Sequence, residues 1–154
     1  MDKAKVIKKN TKAPDFILDD QNDKPFRLSD YKGKKVLLSF HPLAWTSVCS
    51  KQMKSLEANI KNFNKVNTVA VGISVDSSPS KKYWAKDLGI KKTRLLADFW
   101  PHGSIAQAYG IFDEQDGVSE RSNIIVDEDQ KVVFVKVYPR PQLPDIKEIL
   151  RHLE

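Results

Sequence analysis

An α/β fold, a central mixed sheet flanked by helices on both faces, is what this sequence predicts, and three observations predict it. Short apolar runs of strand length alternate with segments of helical periodicity, a hairpin pattern follows late in the chain, and an amphipathic segment closes it. Phe16-Ile17-Leu18 and Phe26-Arg27-Leu28 flank the polar stretch from Asp19 to Lys24 and read as two short strands around a turn. Lys35-Val36-Leu37-Leu38-Ser39-Phe40 is a buried strand stopped by Pro42, so that its C-terminal end empties into a loop. Cys49, Met53, Leu56, Ile60 and Phe63 then recur at intervals of four and three, which is one face of a helix with Cys49 in its first turn.

Thr68 to Val75 is a second buried strand, after which Ser78 and Pro79 supply an N-cap and a first-turn proline for a helix through about Leu88. Leu95-Leu96-Ala97 is a third apolar stretch, and Ser104 to Tyr109 a short helix ending at Gly110. Ile124 to Val126 and Val132 to Val137 form a hairpin around Asp127 to Gln130, and Asp145 to Leu153 is the last helix. This is the element order of a thioredoxin-like fold. No repeat, low-complexity segment or Pro/Gly/Ser-rich linker interrupts it, so one domain over 1–154 is expected.

The composition narrows the function classes. A net charge of +6 and a pI near 9.3 raise the question of nucleic acid, but the lysines are interleaved with 20 acids. The run Lys3, Lys5, Lys8, Lys9 and Lys12 has no aromatic stacking partners. A solvated basic face is the reading, with no nucleic-acid partner. No apolar run reaches bilayer length and Met1 to Lys12 lacks the apolar core of a secretory signal, so a soluble, cytoplasmic protein without membrane contact is expected. His41, His102 and His152 have no metal-ligand spacing, and neither a metal nor a cofactor is expected.

One cysteine excludes an intrachain disulfide. A lone cysteine in a cytoplasmic protein is ordinarily an inert small hydrophobe. The position of Cys49 argues otherwise: a thiol in the first helical turn faces unpaired backbone N–H groups and the positive end of the macrodipole, both of which favour the nucleophilic thiolate. The loop before it joins the C-terminal end of a buried strand to a helix, the place where open α/β sheets hold ligands.

The stretch Phe40-His41-Pro42-Leu43-Ala44-Trp45-Thr46-Ser47-Val48-Cys49 spaces Pro, Thr and Cys in a pattern that arises by chance in under about 1% of chains this long. It resembles the peroxiredoxin active-site motif. The resemblance extends from Ala13-Pro14-Asp15-Phe16 to Asp98-Phe99-Trp100-Pro101-His102-Gly103 and Gln107-Ala108-Tyr109-Gly110, segments similar to the alkyl hydroperoxide reductase E-type branch. It implies a one-cysteine peroxidase in which Cys49 is peroxidatic, Thr46 hydrogen-bonds the peroxide and Pro42 shields the thiolate. It also implies a distant arginine that holds the thiolate. Arg121, just before the strand at Ile124, is the candidate, with Arg94 as the alternative.

The chemistry so implied is attack of the thiolate on a hydrogen peroxide or organic hydroperoxide, giving a sulfenic acid. With no second thiol in the chain, and Lys54 standing where one branch has its resolving cysteine, an external thiol must reduce it. A thioredoxin-like or glutaredoxin-like protein or a low-molecular-weight thiol would serve. The sulfenic acid is meanwhile open to further oxidation. The resemblance also implies a homodimer; Phe99 and Trp100 read equally well as interface or as core aromatics. Two positions depart from the family pattern, His41 in place of an aromatic and Gln52 in place of an acid. A disulfide-exchanging oxidoreductase is disfavoured because no C-x-x-C is present. The remaining rival is a non-enzymatic redox sensor or binding module of the same fold.

Overall fold

The computed structural model describes residues 5–154. Lys3, at the head of the basic run, lies outside them; Lys5, Lys8, Lys9 and Lys12 are exposed, as a solvated face requires. The elements are β1 (Ile17–Asp19), β2 (Pro25–Arg27), a 3₁₀ turn (Leu28–Tyr31), β3 (Lys35–Phe40), α1 (Ser47–Ala58), α2 (Ile60–Lys65), β4 (Thr68–Ser74), α3 (Ser78–Leu88) and β5 (Arg94–Ala97). After them come α4 (Ser104–Ala108), β6 (Phe112–Asp113), β7 (Val118–Ser119), β8 (Ser122–Val126), β9 (Val132–Val137) and α5 (Ile146–Leu153).

The five-stranded sheet has the order β5-β4-β3-β8-β9. β3 pairs parallel with β4 on one side and antiparallel with β8 on the other, so the sheet is mixed and β3 is central. Alternation of side chains along β3 serves two cores. Val36, Leu38 and Phe40 enter one with Phe16, Leu18, Phe26, Leu28, Ala106 and Tyr109. Leu37 enters the other with Cys49, Met53, Leu56, Phe63, Trp84, Ile149 and Leu153. Helices lie on both faces, but unequally: α1, α2, α3 and α5 pack one face, whereas β1, β2 and the short α4 cover much of the other.

Three local expectations are adjusted. The single helical face from Cys49 to Phe63 is divided at Asn59, whose side-chain amide donates to Ser55 O at 2.7 Å and whose backbone, at φ −107° and ψ 15°, leaves the helical region. Such side chains compete with the backbone ladder. The cap of α3 is Ser77, which accepts from Ser80 N, with Ser78 and Pro79 inside the first turn. A small hairpin, β6 with β7, precedes β8 in a region where the sequence pattern marks no strand.

Gly72 on β4 lets α1 sit against the sheet, because a Cβ there would overlap the Met53 sulfur and approach Leu95 Cδ2 at 3.1 Å. Met53 lies one turn beyond Cys49, so this contact seats the N-terminal end of α1 over β3 and β4. Gly72→Val is expected to lower unfolding stability by about 1–3 kcal/mol by overpacking, measured by urea denaturation; a loss below about 0.5 kcal/mol is the background of surface substitutions and would show that Met53 simply moves aside.

Candidate active site

The strand β3 ends at Phe40, and residues 41–46 turn the chain into α1. His41 N donates to Ile73 O at 3.0 Å, which carries the sheet one residue past the strand. Pro42 is buried, while Leu43, Trp45 and Thr46 are exposed. Trp45 has φ 72°, a left-handed conformation costly for a bulky residue, and its indole donates to Ser80 Oγ at 3.1 Å. Ala44 N donates to Asp76 Oδ2 at 2.8 Å. Two anchors, Asp76 in the loop after β4 and Ser80 in the first turn of α3, thus fix the loop in its tight turn.

Thr46 is the N-cap of α1, and its carbonyl accepts the first helical bond from Ser50 N at 2.9 Å. The amides of Ser47, Val48 and Cys49 therefore have no acceptor within the helix. Thr46 Oγ1 donates to Leu43 O at 2.9 Å, which leaves its lone pairs free to accept from a ligand hydroxyl. Cys49 is 1% exposed.

Arg121, at 3% exposure, stands between Val118–Ser119 and β8 and reaches across the sheet. Its Nη1 lies 3.4 Å from Cys49 Sγ and donates to Gln52 Oε1 at 2.7 Å, while Nε donates to Arg140 O at 2.9 Å. Gln52 is itself held, since its Nε2 donates to Ser39 Oγ at 2.7 Å and Phe40 O at 3.2 Å. Ser39, two residues beyond Leu37 on β3, shares its face toward α1. Arg140 is fixed by ion pairs to Asp113 at 2.6 Å, Glu120 at 3.3 Å and Asp116 at 3.4 Å, so that the β6–β7 hairpin braces the carbonyl on which Arg121 rests.

Of the expected residues, Cys49 and Arg121 meet directly, with Pro42 and Thr46 in the loop above the helix start. Arg94 is elsewhere: it pairs with Asp20 at 2.8 Å, donates to Tyr31 Oη, Lys24 O and Pro25 O, and covers the Phe26 ring. It clamps the β1–β2 hairpin to β5 and is remote from the sulfur's partners. Gln52, which departs from the acid expected at its position, is a bridging residue that orients Arg121. Lys81 and His41 are both 0% exposed, and neither was singled out as buried from sequence. The pattern was present: Lys81 shares the inward face of α3 with Trp84 and Ala85. Among the described residues no group of three or more His, Cys, Asp or Glu is placed to hold a metal ion, and no helix is long and apolar enough to cross a membrane.

Replacing Gln52 by Leu leaves an Arg121 N–H and Ser39 Oγ without the Gln52 amide as partner in a buried site. A loss of about 1–3 kcal/mol in unfolding free energy is expected from urea denaturation, together with slower Cys49 modification; unchanged stability would mean that water replaces the amide.

Residues 10–135 match the AhpC/TSA family. The chain is 41% identical over 126 residues to alkyl hydroperoxide reductase E of Mycobacterium tuberculosis, covering 81% of this chain and 82% of that protein. It is 34% identical over 148 residues to peroxiredoxin 2 of Picrophilus torridus, covering 93% and 72%. Among solved structures, the reduced 2-Cys peroxiredoxin of Plasmodium vivax superposes with a TM-score of 0.85 at 29% identity, over 94% of this chain and 79% of that one. The peroxidoxin BcpB of Mycobacterium tuberculosis gives 0.83 at 27% identity, over 96% of both chains.

Proposed function

The chain belongs to the AhpC/TSA family and is a thiol-dependent peroxidase, and from that premise we propose that Cys49 is its peroxidatic residue, with Arg121, Thr46 and Pro42 completing the site. The observation that carries this reading is the Arg121 guanidinium directed at Cys49 Sγ from 3.4 Å. A fixed cation on the sulfur, together with the unpaired amides at the start of α1, favours the thiolate.

The thiolate attacks the terminal oxygen of hydrogen peroxide or an organic hydroperoxide in line with the O–O bond. An S–O bond forms as the O–O bond breaks, the sulfur is oxidised to sulfenic acid, and the leaving hydroxide or alkoxide takes a proton to depart as water or alcohol. Thr46 Oγ1, with its own proton engaged by Leu43 O, accepts from the peroxide hydroxyl and orients it. Arg121 and the helix-start amides meet the charge that moves onto the leaving oxygen. Pro42, buried over the helix start, limits access of bulk water.

Cys49 is the single cysteine of the sequence, so the sulfenic acid is returned to thiol by an external reductant, a thioredoxin-like or glutaredoxin-like protein or a small thiol. The cytoplasm, where thiols are kept reduced, is the proposed place of work. The reading as a non-enzymatic sensor is disfavoured by the peroxidase relatives.

Stopped-flow tryptophan fluorescence of the reduced protein mixed with peroxide tests the assignment. A fast, peroxide-dependent phase is expected, absent in Cys49→Ser and slower by about 10²–10³-fold in Arg121→Met, the scale for removing one charge-stabilising donor. A wild-type rate equal to that of a free thiol at the same pH would sink it.

The working unit is proposed to be a homodimer. Trp100, Phe99, Trp45 and Leu43 are exposed at 81%, 52%, 53% and 41%, which sets aside the core reading of Phe99 and Trp100. Phe99 and Trp100 border a shallow groove with Ile17 and Pro79, close to Ser80, on which Trp45 rests. An apolar patch of this kind fits a subunit contact. Sedimentation is expected to give a dimer for the wild type and a monomer for Trp100→Glu; a monomeric wild type overturns the proposal.

A further inference from the structure

Lys81 is the one lysine among the fully buried side chains of the described residues, and burial of a lysine without a carboxylate partner is rare. Its Nζ has one polar contact, His41 Nε2 at 3.4 Å. Among the described residues no carboxylate forms an ion pair with it. The carboxylates nearest in the fold are committed elsewhere: Asp76 accepts from Ala44 N and Ser74 Oγ, and Asp98 from Ile105 N and Ala106 N. His41 Nδ1 is buried with no partner. Neither group takes part in the mechanism above.

Both are joined to the cysteine's surroundings through Trp84. Lys81 and Trp84 share the inward face of α3, with Nζ 5.8 Å from the Trp84 ring centroid, and the His41 ring is 5.3 Å from the same indole. Trp84 packs in the same cluster as Cys49 and donates to Ser50 Oγ at 3.3 Å, the residue next to Cys49. His41 follows Phe40, whose carbonyl accepts from the Gln52 that orients Arg121.

We propose that Lys81 and His41 are a positioning pair for Cys49, in which one proton, held on the Lys81 amine against the His41 ring, supplies a second buried positive charge that favours the Cys49 thiolate. This rests on the reading of Cys49 as the reactive thiol.

The proton sits on Lys81. Burial, and then the Lys81 charge, push His41 well below its usual range, with Arg121 adding in the same sense, so the ring is neutral and accepts at Nε2. Burial lowers Lys81 to about 7, while the charges of Asp76, Cys49 and Asp98 pull it back up. These are the groups that face the pair from the loop after β4, from α1, from the segment after β5 and from the approach to β8. Lys82 and Lys86, on α3 itself, are exposed. The coupling is reciprocal: if the thiolate holds the proton on Lys81, Lys81 shifts the thiol by the same interval in the opposite sense.

That reciprocity is the test. The Cys49 thiolate is titrated by its ultraviolet absorbance in the wild-type full chain, in Lys81→Met and in His41→Phe; Lys81 is titrated by NMR of lysine-labelled wild type and Cys49→Ser. In Lys81→Met the thiolate midpoint is expected to rise by about one pH unit, about tenfold in thiolate fraction below it, and in Cys49→Ser the Lys81 midpoint to fall by the same interval. His41→Phe, which leaves the buried amine without its acceptor, is expected to raise the thiolate midpoint as well. An unchanged midpoint in folded Lys81→Met, or Lys81 titrating in Cys49→Ser as in the wild type, overturns the pair. The second measurement leaves Lys81 in place and stands even if Lys81→Met does not fold. Both are equilibrium titrations without peroxide, so failure of the peroxidase assignment would appear separately, in stopped-flow rates that do not depend on Cys49.

Discussion

The site depends on a buried guanidinium. An arginine at 3% exposure must have its donors met, because a charge taken out of water without partners costs several kcal/mol. Arg121 is met by three acceptors from two places: the Cys49 sulfur and the Gln52 amide on α1, and the Arg140 carbonyl beyond β9. Each is itself constrained. Gln52 is tied to the end of β3, Arg140 to three carboxylates around the β6–β7 hairpin, and Cys49 to the first turn of a helix that Met53 and Gly72 press onto the sheet. The position of the cation beside the sulfur follows from this over-determined set.

The part of this arrangement written in local pattern was legible in the sequence. The apolar run of β3, its stop at Pro42, the helical spacing from Cys49 onward and the late hairpin all express periodicities of two or 3.6, which the chain carries within a few residues. The Pro42, Thr46 and Cys49 spacing marked the loop for the same reason. Arg121 was reachable because it precedes a recognisable strand, and its separation from Arg94 needed the structure, since both are arginines at strand starts. What decides between them is which carboxylate or carbonyl lies near, and that is a tertiary fact.

The remainder was hidden by residue type. Gln52 looked like a departure from a charged position, yet a neutral amide can donate to Ser39 and Phe40 while accepting from Arg121, which a carboxylate cannot do. Lys81 was one lysine among many in the sequence, and its burial against Trp84 on its own helix and His41 from the loop after β3 is a tertiary fact. Asn59 divided a helix that apolar spacing alone would have continued. In each case a polar side chain found a partner that hydrophobic periodicity does not describe.

The distance along the chain between sulfur and cation, 72 residues, has a consequence for the molecule as it is made. A ribosome-bound chain that has completed α1, β4 and α3 already carries Cys49 but has not yet synthesised the strand that brings Arg121. Until β8 docks beside β3, the thiol lacks the guanidinium that distinguishes it from an ordinary cysteine. With Cys49 in the proposed peroxidatic role, its activation waits on the docking of β8, and a chain stalled before that strand carries the sulfur without its fixed cation.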